Sequence, residues 1–435
     1  MLSYKTRIVQ FGEGRFLRAF MEDMLEHANR TVGYGGSVFI VKPRKGGSIE
    51  QFANHNNSYE LRIRGRQGGE IVDEKKIIHC ISGICRGSED YQKLLELAGS
   101  ASLKLVVSNT TEAGITFDLA DKSMDDPPGT YPGKLTAFLY RRFEAFAKAG
   151  DAAGGLVIMP LELNENNGGI LRDCVLKYAE HWGLPVEFVD WITSENIFCS
   201  TLVDRIVTGG EQGLSVTAEP YGSLIIETDQ REEVLNAFPF DKCGINVTFT
   251  DDIRPYREQK VRLLNGVHTS ICLTGMMLGL RYVDECMAHP LMRAYIDMLI
   301  NDEIIPTIRL PRETVMMFAD SVIERFENPF LHHQLKDIAL NSVSKWKTRI
   351  LPTVMDYKDM RGELPEGLML SLASLMVFYE GAWKECGIGS LQDEDDSLEI
   401  IETNRMIEDR TAELKLEIKR EGLEKTLMGV VRKGG

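Results

Sequence analysis

The sequence predicts an α/β half followed by a mostly α-helical half. Short apolar, β-rich runs alternate with helical segments as far as INVTFTDDI (Ile245–Ile253). From about Tyr256 strand-like runs vanish and helical periodicity takes over. Two glycines, Gly12 and Gly14, stand directly after the first apolar run and open a helix. Strand–helix alternation of this kind reads as a parallel sheet covered on both faces, with strands that are apolar almost throughout. A boundary near 252–256 gives a first domain 1–253 and a second domain 254–435.

RIVQF (Arg7–Phe11) is the first strand, followed by the glycine turn and a helix to about Asn29. SVFIVKP (Ser37–Pro43), LKLVVSN (Leu103–Asn109) and GGLVIMPLE (Gly154–Glu162) are further strands, the last two running into polar residues. Helices fall at Leu135–Gly150 and Ile170–Gly183, each stopped by a glycine. In the second half, periodicity predicts helices over Val261–Leu280, Pro290–Asn301, Arg312–Phe326, His332–Lys347, Gly367–Trp383 and Leu398 to about Lys425. The acidic run Asp393–Asp396 reads as a solvated loop.

At 435 residues the chain is too long for one ordinary core, and its formal net charge is -15. That charge argues against nucleic acid as the main partner and against a polybasic membrane patch, while leaving room for a locally basic pocket. Eight scattered cysteines, without a C-x-x-C pair, read as small apolar fillers in a reducing compartment, with no zinc site. The longest apolar run, Leu368–Tyr379, is too short to span a bilayer. No signal peptide precedes the first strand, so a soluble cytoplasmic protein is expected. Oligomeric state is left open.

Gly12 and Gly14 have the context of a dinucleotide fingerprint, in which glycines let the backbone turn tightly and approach a pyrophosphate. Leu17 stands where the third glycine would be. The loop Phe11, Gly12, Glu13, Gly14, Arg15, Phe16, Leu17 is therefore either a cofactor loop or a plain strand–turn–helix. An acidic residue closing the second strand would indicate NAD; here Lys42, Arg44 and Lys45 follow, which meet a 2′-phosphate of NADP or form a solvated basic loop. Asn109 and Thr110, beyond another strand, either approach a nicotinamide or cap the next helix.

In REQKVRLLNGVHTSICL, Lys260, Asn265 and His268 interrupt an apolar helix face. At about 100° per residue, all three fall within about 140° of arc and can line one wall of a cleft. The residue types suit reversible hydride transfer at a carbonyl. Negative charge developing on oxygen needs a proton donor and preset hydrogen-bond donors. A desolvated lysine near other donors has its pKa pulled toward neutrality. The alternative is a solvated polar face. Asn265–Gly266 falls where a good helix former would be expected, which favours the functional reading.

The pattern K-x4-N-x2-H resembles the signature of the polyol-specific long-chain dehydrogenases, the mannitol dehydrogenase family. QFGEGRFLRAF, STLVDRIVTG (from Ser200) and ERFENPF (Glu324–Phe330) are similar to further family segments, so the resemblance spans nearly the whole chain. IMPLELNENNG, EPYGSLIIE and LNSVSKWKTRILP look most like the tagaturonate-reducing branch, with Leu163 where mannitol-oxidising members carry asparagine. The resemblance implies a Rossmann-like N-terminal domain, a helical C-terminal domain and a cleft between them. It also implies metal-free, NAD-linked interconversion of a keto-uronate (tagaturonate) and an aldonate (altronate). Lys260 would be the general acid/base, with Asn265 and His268 polarising the carbonyl. Asp204 would approach substrate or cofactor, or only pair with Arg205 or cap a helix. Glu162 would contact substrate. A uronate carboxylate needs a cation, for which Arg325, Lys345, Lys347 and Arg349 are candidates. His332 and His333 are adjacent and point about 100° apart on a helix, a poor arrangement for a shared metal. The rival readings keep the fold but change the substrate (fructuronate, mannitol or another polyol), or remove catalysis and leave a dinucleotide sensor.

Overall fold

The computed structural model describes residues 4–43, 49–146, 154–210, 213–382 and 404–434. The chain forms two compact units, one from the described parts of Met1–Arg64 and Val72–Ile253, the other from Gly65–Ile71 and the described parts of Arg254–Gly435.

The first unit is built on a six-stranded parallel sheet. Numbered within this sheet, its strands are β1 (Lys5–Phe11), β2 (Gly36–Lys42), β3 (Ile81–Arg86), β4 (Leu105–Ser108), β5 (Val157–Pro160) and β6 (Ile197–Phe198). They lie in the order β3-β2-β1-β4-β5-β6, every neighbouring pair parallel. This is the strand order of dinucleotide-binding Rossmann folds, with the reversal between β1 and β4. The apolar runs are continuous because both faces are covered. Ile8, Leu105 and Val107 enter one core, while Val9, Phe11 and Val106 enter the other.

Helices Tyr131–Ala145 and Asn167–His181 are found where the apolar periodicity placed helices, the first capped by Thr130 Oγ1 accepting from the Gly133 N–H at 3.1 Å. Gly150, its expected stop, lies outside the described residues. The helix after β1 is not continuous: Arg15–Ala19 ends at Phe20 (φ -124°, ψ -77°), and a second helix runs from Met21 to Thr31. Two smaller sheets also went unread in the sequence. One joins Tyr59–Gln67, Glu70–Ile78, Val207–Gly209 and Val216–Ala218; the other joins Ser200–Asp204, Ser223–Glu227 and Asn246–Thr250.

The described part of the second unit is helical around one large core. Arg312–Phe326 has the predicted bounds. Five other segments differ: Pro290–Asn301 passes from an α-helix, Pro290–Met298, into a π-helix, Leu299–Ile304, and Gly367–Trp383 from an α-helix, Glu366–Val377, into a π-helix, Phe378–Ala382. Val261–Leu280 is a π-helix, Lys260–Gly266, continued by an α-helix, Val267–Met277. His332–Lys347 is two helices, Leu335–Ile338 and Ser342–Arg349, because Asn341 between them adopts φ +57°. The C-terminal helix is broken into Arg405–Glu421 and Leu423–Gly434 by Gly422 at φ +85°. Asp393–Asp396 and Cys386 lie outside the described residues; the seven described cysteines are buried and free. No described helix is long and apolar enough to cross a membrane.

Arg142 ties the Tyr131–Ala145 helix to the loops beneath the sheet. It is fully buried and donates to the carbonyls of Ala98 and Ser100 (both 2.9 Å), of Leu103 and of Gly154, and burial brings its pKa down to about 10. Replacing it strands four carbonyls in an apolar setting. Arg142→Met is predicted to lower the unfolding free energy by about 3 kcal/mol, measured by chemical denaturation. A change below about 0.5 kcal/mol would show that water takes over these acceptors.

Candidate active site

The turn after β1 is shaped for a close approach. Gly12 has φ +124°, a conformation that side chains rarely adopt, and its N–H bonds to the Val41 carbonyl at 2.9 Å. A Cβ there would lie 3.1 Å from the Asn109 carbonyl oxygen and from Leu17 Cδ1. Leu17, in place of the third glycine, is buried under the turn. Gly14 is exposed, and a Cβ added to it would meet nothing within 4 Å in the protein. The space over Gly14 is thus open, as a backbone that must meet a pyrophosphate requires. Arg15 is exposed beside it, and Phe16 stacks on Phe20 at 4.9 Å. At the end of β2, Lys42 Nζ is ion-paired with Glu13 Oε1 at 2.8 Å. Arg44 and Lys45 lie outside the described residues.

Beyond β4, one buried carboxylate organises the strand ends. Glu162 Oε1 accepts from the Thr110 N–H (2.8 Å) and hydroxyl (2.9 Å), and Oε2 accepts from the Ser108 hydroxyl (2.9 Å). Desolvation raises the Glu162 pKa, and these hydrogen bonds pull it back. Asn109 donates to the Leu161 carbonyl at 2.6 Å. The next element is only a short 3₁₀ turn, Glu112–Gly114, without a side-chain cap, so Thr110 serves Glu162 and not a helix. Thr111 stands at φ +113°, ψ 162°, a strained conformation for a β-branched residue and of a kind that collects at functional sites. Asp204 ends the strand Ser200–Asp204 and is 9% exposed. The ionic partner of Arg205 is Asp23, at 2.9 Å, in place of the Asp204 pairing considered above. Leu163 is half exposed.

In the second unit the π-helix changes the geometry expected for Lys260, Asn265 and His268. An α-helix would set Lys260 and Asn265 about 140° apart. A turn closed from i to i+5 returns the fifth residue toward the side of the first. The segment is pinned by Arg262, 6% exposed, which donates to Thr307 Oγ1 (2.9 Å) and O (3.3 Å) and pairs with Asp356 (2.5 Å) and Glu258. Gly266 keeps the turn clear, since a Cβ there would sit 3.3 Å from the Val261 carbonyl oxygen and 3.5 Å from that of Arg349.

His268 is buried, stacked on Phe326 at 4.3 Å and set edge-on to His333 at 5.1 Å. Desolvation first, then His333, Arg325 and Arg349, hold its pKa well below the usual histidine value. Among the described residues, neither the His268 ring nitrogens nor the half-buried Asn265 amide is hydrogen-bonded. Both donors remain available to a ligand. Arg325 is buried on the helix that carries Phe326. Lys345 and Arg349 share one face of Ser342–Arg349; Lys347 is on the opposite, exposed face. His332 turns to Asp284 at 3.1 Å, away from His333's contact with His268.

The profile of the mannitol dehydrogenase Rossmann domain matches residues 6–236, and that of the mannitol dehydrogenase C-terminal domain matches residues 252–426. The chain belongs to the mannitol dehydrogenase family. Two curated relatives are named altronate oxidoreductase. The one from Bacillus subtilis (strain 168) is 41% identical over 86% of this chain and 80% of its own length. The one from Yersinia enterocolitica is 38% identical over 87% and 81%. Among solved structures, a substrate-free D-sorbitol dehydrogenase superposes with TM-score 0.80 (20% identity, 98% of this chain, 95% of that one). Pseudomonas fluorescens mannitol 2-dehydrogenase, solved with NAD and D-mannitol, superposes with TM-score 0.70 (22% identity, 100% and 96%). These likenesses establish the Rossmann-plus-helical fold of the family for this chain.

Sequence reasoning missed Phe326, His333 and Thr269 as neighbours of His268, although ERFENPF flagged the segment holding Phe326. Two predictions test the local physics. Thr111→Gly should raise the unfolding free energy by about 1 kcal/mol by releasing backbone strain, and denaturation curves without a gain would refute the strain. For His268, the folded pKa is depressed, so the unfolded chain binds a proton first as pH falls. Its contribution is present above the unfolded histidine range and lost as pH drops below about 6.5. The wild type should therefore lose stability between pH 7 and 5 more steeply than His268→Gln, by up to about 1.4 kcal/mol per pH unit. Parallel curves would mean that the native imidazole protonates normally.

Proposed function

We propose that this member of the mannitol dehydrogenase family is an NAD-dependent dehydrogenase acting on a CH–OH group, and that it interconverts tagaturonate and altronate. Two altronate oxidoreductases about 40% identical over most of the chain support the substrate class. The observation that carries the chemistry is the pair of uncommitted donors, Asn265 and neutral His268, on the helix that begins with Lys260.

The glycine turn fits a dinucleotide: Gly12 meets a steric demand, and Gly14 leaves its outer side open. Phe11 to Leu17, Lys42, Asn109 and Thr110 are the residues proposed to hold it, with Glu162 supporting the last two and Asp204 approaching from the same unit. NAD is favoured over NADP because Glu13 occupies Lys42 and supplies the carboxylate that the end of β2 lacks. When bound, the nicotinamide supplies or accepts the hydride. The protein manages the proton and the charge on oxygen. Asn265 and His268 donate hydrogen bonds to the carbonyl oxygen, and Lys260 gives it a proton as it becomes a hydroxyl. A neutral imidazole serves as donor without placing a second full positive charge beside the lysine. In the oxidative direction Lys260 takes the proton back.

Initial rates with altronate, mannonate and mannitol, each with NAD and NADP, test the assignment. Altronate with NAD should give the highest kcat/KM. Preference for mannonate or mannitol would move the chain to another branch of the family. Lys260→Ala should lower kcat at least about 100-fold while leaving NADH binding intact. Undiminished turnover would remove Lys260 from the mechanism.

A further inference from the structure

The helix Ser342–Arg349 carries two cations, Lys345 and Arg349, one turn apart on the same face. Both are half-buried, and burial lowers the pKa of each. Among the described residues, Arg349 Nη1 reaches only the Thr269 hydroxyl, at 3.3 Å, and Lys345 Nζ only the Ile338 carbonyl, at 2.9 Å. Among the described residues, neither forms an ion pair. The chain has 65 acidic residues against 50 basic ones, so acids to pair with them are abundant. Yet no carboxylate figures among the groups that shift either pKa, although exposed Asp337 acts on neighbouring His333.

Like charges at i and i+4 repel, and desolvation adds to the cost. Their setting links them to the candidate catalytic helix: Thr269 follows His268 and donates to the Asn265 carbonyl at 2.8 Å, and the Arg349 carbonyl lies against Gly266. A guanidinium with one weak hydrogen bond retains most of its fork for a bidentate anion.

We propose that Lys345 and Arg349 are specificity-determining residues that bind the substrate's carboxylate, and so select a sugar acid over the neutral sugar of the same skeleton. This rests on the keto-uronate reading above. Arg349 supplies the two-pronged contact and Lys345 a point charge, while Asn265 and His268 address the carbonyl.

The test compares NADH-dependent reduction of tagaturonate, of tagatose (a hydroxymethyl group in place of the carboxylate) and of tagatose 6-phosphate by the wild type, Arg349→Gln, Arg349→Lys and Lys345→Gln. In Arg349→Gln, kcat/KM for tagaturonate should fall about 10- to 150-fold, mostly through KM, as loss of a charge-assisted contact implies. Tagatose should change less than about twofold, so the preference for the acid collapses. Arg349→Lys should recover part of the loss and Lys345→Gln show a smaller one. NADH affinity, measured on the same samples, should be unchanged and reports intact folding. Equal losses on tagaturonate and tagatose would show a packing role only, and an unchanged tagaturonate rate in Arg349→Gln would remove the residue from recognition. Faster wild-type turnover of tagatose 6-phosphate than of tagaturonate would make this a phosphate site and overturn the proposal. The two readings fail separately: a wild type inactive on tagaturonate sinks the proposed function, whereas an active wild type with an insensitive Arg349→Gln sinks only this inference.

Discussion

A change of helical pitch over seven residues determines how the polar groups of the second unit are presented. Lys260–Gly266 is bonded from i to i+5, a pitch that returns Asn265 toward the side of Lys260 on a helix that is otherwise largely buried. A π turn is intrinsically less favourable than an α turn, so something must hold it. Arg262 does so from inside the segment, reaching Thr307, Asp356 and Glu258. Gly266 lets the turn pack against the carbonyl that ends Ser342–Arg349. The same packing sets the cationic helix beside the candidate catalytic one. One local distortion therefore positions both the carbonyl donors and the charges proposed to read the acid.

The first unit solves a different problem by similar means. A parallel sheet delivers polar loops to one edge, and the strand reversal leaves room there. The loops still have to be held. Buried Glu162 binds Ser108 and Thr110 at the end of β4, while the Gly12 N–H reaches across to Val41 on β2. Strain at Thr111 is the counterpart of that clamping: the backbone is over-determined on its N-terminal side and takes up an unfavourable angle next to it. Both carboxylate oxygens of Glu162 are thus engaged by the strand end that they hold, Oε1 by Thr110 and Oε2 by Ser108.

The fold class was legible because it depends on periodicity. Short, largely apolar runs at Ile8–Phe11 and Leu105–Val107, bounded by turn residues, read as strands buried on both faces, and the two cores show that burial. The second sheet was also written in the sequence, since Tyr59, Leu61 and Ile63 alternate with Glu60, Arg62 and Arg64, but that half-buried pattern is weaker than a continuous run. Backbone irregularities were not legible. Asn341, which enters the left-handed region, and Asn265–Gly266 in the π turn are residue types that only permit such departures, and Phe20, where a helix breaks, gives no such signal. Within the site, the side chains that sequence spacing could group were those on one helix. Phe326 and His333 reach His268 from other segments, so their proximity is a property of the fold.

How an acidic protein would take an acidic substrate follows from the range of the forces. A net charge of -15 repels an anion, but in physiological salt that repulsion is screened within about 8 Å of the surface. Half-buried charges are screened far less, so Lys345 and Arg349 dominate the potential in their own neighbourhood whatever the rest of the surface carries. The absence of an acidic partner among the described residues matters for the same reason. A structural ion pair would neutralise the guanidinium and leave only its shape, whereas an uncompensated one retains its attraction for an incoming carboxylate. The stability lost by burying such cations would be recovered when that carboxylate binds. Specificity for an acid and local destabilisation of the free protein then have one physical origin.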